Sequence, residues 1–325
     1  MQGLTPDDLE AARALLAQHL APTRLVLASS LARTSGAQVY LKLESEGPTG
    51  SFKVRGALTA AHRRLARGPL AGLVACSTGN HGAAVAYVAR QVGVPATVFL
   101  PERPNPVKRA RIADLHATVV EVGRDYDAAR EHAVRYARER GFHFVEDGWD
   151  SDLTLGPATI ACEILAELPA TDVIYVPVGG TTLIQGVAFA TRHLKPGVRI
   201  VGVQAAGAPA YHRSWMENRV VTTETCDTIA DGLAVRCPTA GNVQALRELV
   251  DEMRLCSEEE LLRAIYRLLL DEHTLAEPAG AAATAAFLQT GRAHAGQTVV
   301  LLVTGANLTP ELLRRAILAA PEMAG

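Results

Sequence analysis

The stretch Glu46-Gly47-Pro48-Thr49-Gly50-Ser51-Phe52-Lys53-Val54-Arg55-Gly56-Ala57 decides how the chain is read. Before it, Val39-Tyr40-Leu41-Lys42-Leu43 alternates as a strand does. After it, the run from Ala57 to Arg67 has helical spacing, which places Lys53 between a Pro/Gly turn and a helix N-terminus. The positive end of a helix favours a neutral amine and a nearby anion. A lysine so placed is a candidate imine-forming nucleophile. On its own the stretch favours the plainer reading, a solvated surface lysine.

Working outward, the chain alternates strand and helix. Leu73 to Cys76, Ala96 to Leu100, Thr118 to Val122 and Phe142 to Val145 read as strands. Asn80 to Val92, Asn105 to Leu115 and Tyr126 to Arg140 read as the helices between them, and this alternation predicts a compact parallel unit. The polar stretch from Glu146 to Asp152 reads as the return to a second unit. There, helices over Pro157 to Glu167 and Leu183 to His193 interleave with strands over Val173 to Val176 and Val198 to Val203. Ser257 caps a helix reaching Glu272, and Thr298 to Val303 is an apolar strand before a last helix from Pro310. The expected fold is α/β: two doubly wound parallel-sheet domains, the smaller inserted in the larger. Residues 1–71 and 149–325 form the large domain, and residues 72–148 the small, mobile one.

Bulk properties exclude several classes of function. A net charge of −2 and an aromatic content of 5% give no footprint for nucleic acid or an anionic membrane surface. Five cysteines without a Cys-x-x-Cys spacing read as reduced thiols, neither a disulfide frame nor a zinc site. No apolar run reaches membrane length, and Met1 is followed by polar sequence, so a cytoplasmic location is expected.

Three polar loops stand at expected strand ends, where open α/β sheets bind ligands. Ser77-Thr78-Gly79-Asn80-His81-Gly82 can hold a carboxylate at a helix N-terminus, or be a plain capped turn. Val178-Gly179-Gly180-Thr181-Thr182-Leu183 lets backbone and hydroxyls approach a phosphate, and it matches neither dinucleotide nor nucleoside-triphosphate fingerprints. Val303-Thr304-Gly305-Ala306-Asn307 ends a strand with a hydroxyl that can meet a ring nitrogen, although alone such a hydroxyl more often bonds to backbone. An imine lysine, a phosphate loop, a carboxylate loop and a ring-nitrogen partner together describe pyridoxal 5′-phosphate with an amino acid bound.

With those motifs, and with Thr228-Ile229-Ala230-Asp231-Gly232, the chain resembles the serine/threonine dehydratases of the tryptophan-synthase-β-like class (fold type II) of pyridoxal-phosphate enzymes. The resemblance implies that the cofactor lies in the cleft between the domains. It implies that Lys53 forms the imine and moves the α-proton, Phe52 packs near the ring and Asn80 bonds the ring hydroxyl. Gly179, Gly180, Thr181 and Thr182 would cradle the phosphate, and Thr304 would face the pyridine nitrogen. Ser77, Thr78, Gly79, Asn80 and His81 would hold the substrate. The implied reaction is α,β-elimination from a β-hydroxy amino acid, by default L-threonine or L-serine, giving a 2-keto acid and ammonia. A homodimer is implied as well.

Departures from the family pattern leave alternatives open. Thr181 and Thr182 follow Gly179 and Gly180 where a longer glycine run is usual, which brings the loop closer to β-replacing synthases. Thr78 carries a hydroxyl where racemases place a second proton donor, although carboxylate binding or helix capping is the plainer account of it. Gln204 stands where related enzymes carry an acidic ligand for a divalent cation, and no carboxylate follows it through Ala210, so no divalent metal site is expected. A monovalent ion is left open. The chain stops soon after its last helix, so no C-terminal regulatory domain and no isoleucine feedback are expected. A non-catalytic binding protein on the same scaffold would not need Lys53.

Overall fold

The computed structural model describes residues 4–77, 79–104, 106–124, 126–148 and 150–319. Thr78, expected as a substrate contact and proton donor, lies outside the described residues. In chain order the strands are β1 (Leu25–Leu27), β2 (Gln38–Leu43), β3 (Leu73–Cys76), β4 (Ala96–Leu100), β5 (Thr118–Glu121), β6 (His143–Phe144), β7 (Val173–Pro177), β8 (Arg199–Ala205), β9 (Glu252–Cys256) and β10 (Thr298–Val303).

They form two sheets, ordered β1-β2-β10-β7-β8-β9 and β5-β4-β3-β6. The smaller sheet is entirely parallel. In the larger sheet β2, β10, β7, β8 and β9 run parallel, and β1 pairs antiparallel with β2 at the edge. Residues 28–37, which join β1 to β2 and hold the short helix Ser29–Ser35, are fewer than the roughly dozen a parallel crossover needs. β7 and β10 are buried along their whole length, as apolar strands covered on both faces should be.

Several element boundaries differ from the sequence reading. The helix after the first turn is Lys53–Ala66, so it begins at the lysine itself and not at Ala57. The helix expected from Pro157 is Ser151–Glu167, capped by the Asp150 side chain, with the proline inside. Pro157 has no N–H for the Leu153 carbonyl four residues before it. That carbonyl faces Gly56, where a Cβ would come within 2.6 Å of the oxygen. Gly156 lies equally close to the other helix, since a Cβ there would meet the Arg55 carbonyl carbon at 2.2 Å. The helix carrying Lys53 is thus seated glycine against backbone on the helix Ser151–Glu167.

A buried ionic cluster fixes the same helix from beneath. The Arg55 guanidinium donates to Glu44 Oε2 at 2.8 Å, Glu163 Oε1 at 2.6 Å and Thr159 Oγ1 at 3.0 Å. Lys42, fully buried, adds its ammonium to Glu163. Burial works against the Arg55 charge, but Glu44 and Glu163 outweigh it and raise its pKa.

Candidate active site

Four loops meet where strands of both sheets end at their carboxyl side: those after β2, β3, β7 and β10. The first and last are stitched together. Phe52 N donates to Thr304 O at 3.1 Å, Ala306 N donates to Gly50 O at 3.0 Å, and Ser51 bridges Gly305. This stitch places Lys53, at the head of its helix, beside the end of β10. The Lys53 Nζ lies 4.9 Å from the Phe52 ring centroid.

The loop after β7 turns through Thr181, whose backbone is left-handed at φ 72°, into the helix Thr182–Leu194. The first N–H groups of such a helix lack intrahelical acceptors and favour an anion. A Cβ at Gly179 would fall 2.1 Å from Gly232 O, so only glycine fits that close approach. Both threonine hydroxyls have protein partners. Thr181 Oγ1 accepts from Gln185 Nε2 at 2.7 Å, and Thr182 Oγ1 donates to Asp147 Oδ1 at 2.9 Å.

In the loop after β3, Ser77 Oγ accepts from Gly79 N at 3.1 Å. His81 is buried, and its Nε2 donates to Val145 O at 2.8 Å, so that ring nitrogen is committed to the backbone. Burial lowers the His81 pKa. The Asn80 amide donates to Glu277 Oε1 at 2.6 Å and accepts from the Asn307 amide. Thr304 is buried at the end of β10. Lys53, Phe52, Asn80, the residues from Gly179 to Thr182 and Thr304 therefore converge on one cleft, with Ser77, Gly79 and His81 on its other wall.

Two acidic residues were not singled out from sequence. Asp147, in the connection after β6, forms an ion pair with Lys53. Burial works to raise its pKa, but Lys53 and His81, with hydrogen bonds from Lys53 and Thr182, hold it down at about 2. Glu277 precedes the helix Pro278–Thr290 and is buried, with Oε2 lacking a hydrogen-bond partner among the described residues. Burial raises its pKa against the pull of Lys108 and the Asn80 hydrogen bond. A glutamate directly before an apolar, alanine-rich helix was the available signal for Glu277, and nothing comparable marked Asp147.

The donor set suits pyridoxal phosphate. Lys53 supplies an amine for an aldehyde, the head of the helix Thr182–Leu194 can take a dianion, and Thr304 offers a hydroxyl to a ring nitrogen. Residues 16–305 match the family described as "Pyridoxal-phosphate dependent enzyme". The chain is 38% identical over 293 residues to L-threonine ammonia-lyase of Geobacter sulfurreducens, covering 90% of this chain and 73% of that one. It superposes on the crystal structure of a threonine deaminase from T.th. with a TM-score of 0.87 and 34% identity, covering 94% and 99% of the two chains. It superposes on maize serine racemase with a TM-score of 0.88 and 26% identity, covering 98% of each chain. The cofactor is therefore pyridoxal phosphate, and the chain belongs to the pyridoxal-phosphate dependent enzyme family, with the fold of the type II enzymes.

Proposed function

We propose that this enzyme is an ammonia-lyase that converts L-threonine, with L-serine as a second substrate, to a 2-keto acid and ammonia: water leaves in the elimination and is taken up again when the resulting enamine hydrolyses. The names of its relatives support the substrate class. The observation that carries the reading is the position of Lys53, at the head of a helix and stitched beside Thr304 at the centre of the larger sheet.

When bound, the cofactor supplies an electron-withdrawing ring joined to the substrate nitrogen, which acidifies the proton at Cα. The Lys53 amine takes that proton at Nζ, with Asp147 as its anionic partner. Gly179, Gly180, Thr181 and Thr182 would hold the phosphate by backbone N–H groups and the helix N-terminus. Phe52 flanks the lysine; Asn80 would face the ring hydroxyl of the bound cofactor, and Thr304 would present a neutral hydroxyl to its ring nitrogen. A neutral partner leaves that nitrogen less positive than a carboxylate would. Such a partner would favour loss of the β-hydroxyl, which leaves as water with the proton taken from Cα. Ser77, Gly79, Asn80 and His81 orient the substrate carboxylate, with Thr78 from the same loop. Residues 72–148 act as the smaller, substrate-closing domain of a cytoplasmic homodimer.

The test is release of 2-keto acid and ammonia from L-threonine and L-serine. Lys53→Ala is expected to abolish both turnover and the absorbance band of the lysine-linked cofactor. Turnover surviving in that variant refutes the reading. The likeness to serine racemase favours racemisation as a second reading, and chiral analysis of recovered serine decides it.

A further inference from the structure

The helix Pro106–Asp114 joins β4 to β5 in the smaller sheet and carries no acidic residue in its first turn. Lys108 stands there instead, where the helix dipole disfavours a cation. Its placement therefore answers to something other than helix stability. Its side chain is only 12% exposed and lies across the loop after β3. A Cβ at Gly79 would come within 3.0 Å of Lys108 Cδ and 3.3 Å of its Nζ, so the glycine leaves the lysine its path over the loop.

The anions around this ammonium are unequal. Asp231 pairs with it from the larger unit, but the Asp231 side chain is 43% exposed, at the rim of the cleft. Glu277 lies close enough to act on Lys108, yet burial pushes its carboxyl toward the neutral form. The cation is thus drawn inward and its fixed counterion stays outside. A partly desolvated ammonium in that position suits an anion delivered to the same loop.

We propose that Lys108 is a specificity-determining residue whose ammonium pairs with the α-carboxylate of the substrate on the loop of Ser77, Gly79 and Asn80, leaving Asp231 to do so. The assignment rests on the reading of that loop as the carboxylate site. One carboxylate replaces another, so charge balance is kept. The exchange also predicts a preference for free amino acids over amides, since an amide cannot take over the pairing.

The experiment uses cofactor-loaded wild type, Lys108→Gln, Lys108→Arg, Asp231→Asn and Ser77→Ala, with L-threonine and L-threoninamide, following ammonia release. Lys108→Gln should raise KM for L-threonine about 10- to 100-fold with kcat changed by less than about threefold, and narrow the preference over the amide. Lys108→Arg should recover most of that KM, and Asp231→Asn should leave it equal or lower. The cofactor band should be unchanged in all of them. KM within about twofold of wild type in Lys108→Gln overturns the proposal. So does a matching rise in Asp231→Asn, which would mark the pair as a structural tie. If Ser77→Ala raises KM and Lys108→Gln does not, Lys108 alone is refuted. If neither moves KM, the loop assignment itself has failed and the proposal falls with it.

Discussion

Lys53 and Asp147 stand 94 residues apart in the chain, and their side chains form an ion pair inside the cleft between the two sheets. The carboxylate also accepts from Thr182 in the loop after β7. One acidic side chain thus links the amine expected to do the chemistry with the loop expected to hold the phosphate.

Replacing Asp147 by Asn keeps the shape and removes the charge. We expect kcat to fall about 10- to 100-fold with a smaller change in KM, because a displaced base costs more in the transition state than in binding. Steady-state kinetics on variant protein that retains its cofactor band would check this, and an unchanged kcat would exclude a role for the pair.

The same residue sets an acid limit on stability. Its folded pKa, about 2, lies below the ordinary 3.8. A depressed carboxyl stabilises the fold fully above the unfolded value and loses that contribution as pH falls toward the folded one. The contribution is roughly 2 kcal/mol at neutral pH. Thermal unfolding of wild type and Asp147→Asn should therefore differ at pH 6 and converge as the pH is lowered from about 4 toward 2. Parallel curves over that window would show that the pair contributes no stability.

Arg55 is 2% exposed and bonded to two carboxylates. Removing it strands buried charge on Glu44, while Glu163 keeps only Lys42 as its cationic partner among the described residues. Arg55→Met should cost about 3–5 kcal/mol in denaturant unfolding. A loss below about 1 kcal/mol would mean that water reaches the cluster and screens it.

Gly156→Ala drives a methyl group into the backbone of the Lys53 helix. Overpacking of this kind costs about 1–3 kcal/mol, and it should also lower cofactor occupancy, because the displaced helix begins with Lys53, the amine proposed to hold the cofactor. Unfolding midpoints and the cofactor absorbance report the two effects separately. Gly197→Ala, where a Cβ meets nothing within 4 Å, is the matched control.

Gln204 is fully buried, and its Oε1 accepts from His212 N at 2.9 Å. An uncharged amide committed to the backbone is a poor seat for a hard divalent ion. Treatment with a chelator should leave turnover and the thermal midpoint unchanged, and a drop in either restored by magnesium or calcium would contradict this.

The alternation of short apolar strands with amphipathic helices was legible because each element carries its own period. The boundaries of the helix Tyr126–Arg140 read from the sequence match the structure at both ends. Ser257 announced its helix through a capping box that is present, with Ser257 N donating to Glu260 Oε2 at 2.7 Å. Other elements hid their nature. Proline is favoured in a first helical turn, so Pro157 reads as a start, yet it lies inside a helix packed closely by Gly56 and Gly186 of its neighbours. The strand Glu252–Cys256 has charged residues at alternate positions near the sheet edge and did not read as apolar. The glycine loops and Lys53 were visible as local motifs. Asp147 and Glu277 were not, because their meaning lies in partners 94 and 197 residues away.

The stitch between residues 50–52 and 304–306 has a consequence for biosynthesis. During translation the strand β3 and the others of the smaller sheet leave the ribosome within one short span and can pair at once. Lys53 emerges earlier still, yet β10, which lies between β2 and β7, is made some 250 residues after it. Capture of the vitamin therefore waits for β10, and ribosome-stalled chains ending before residue 298 should not acquire its colour.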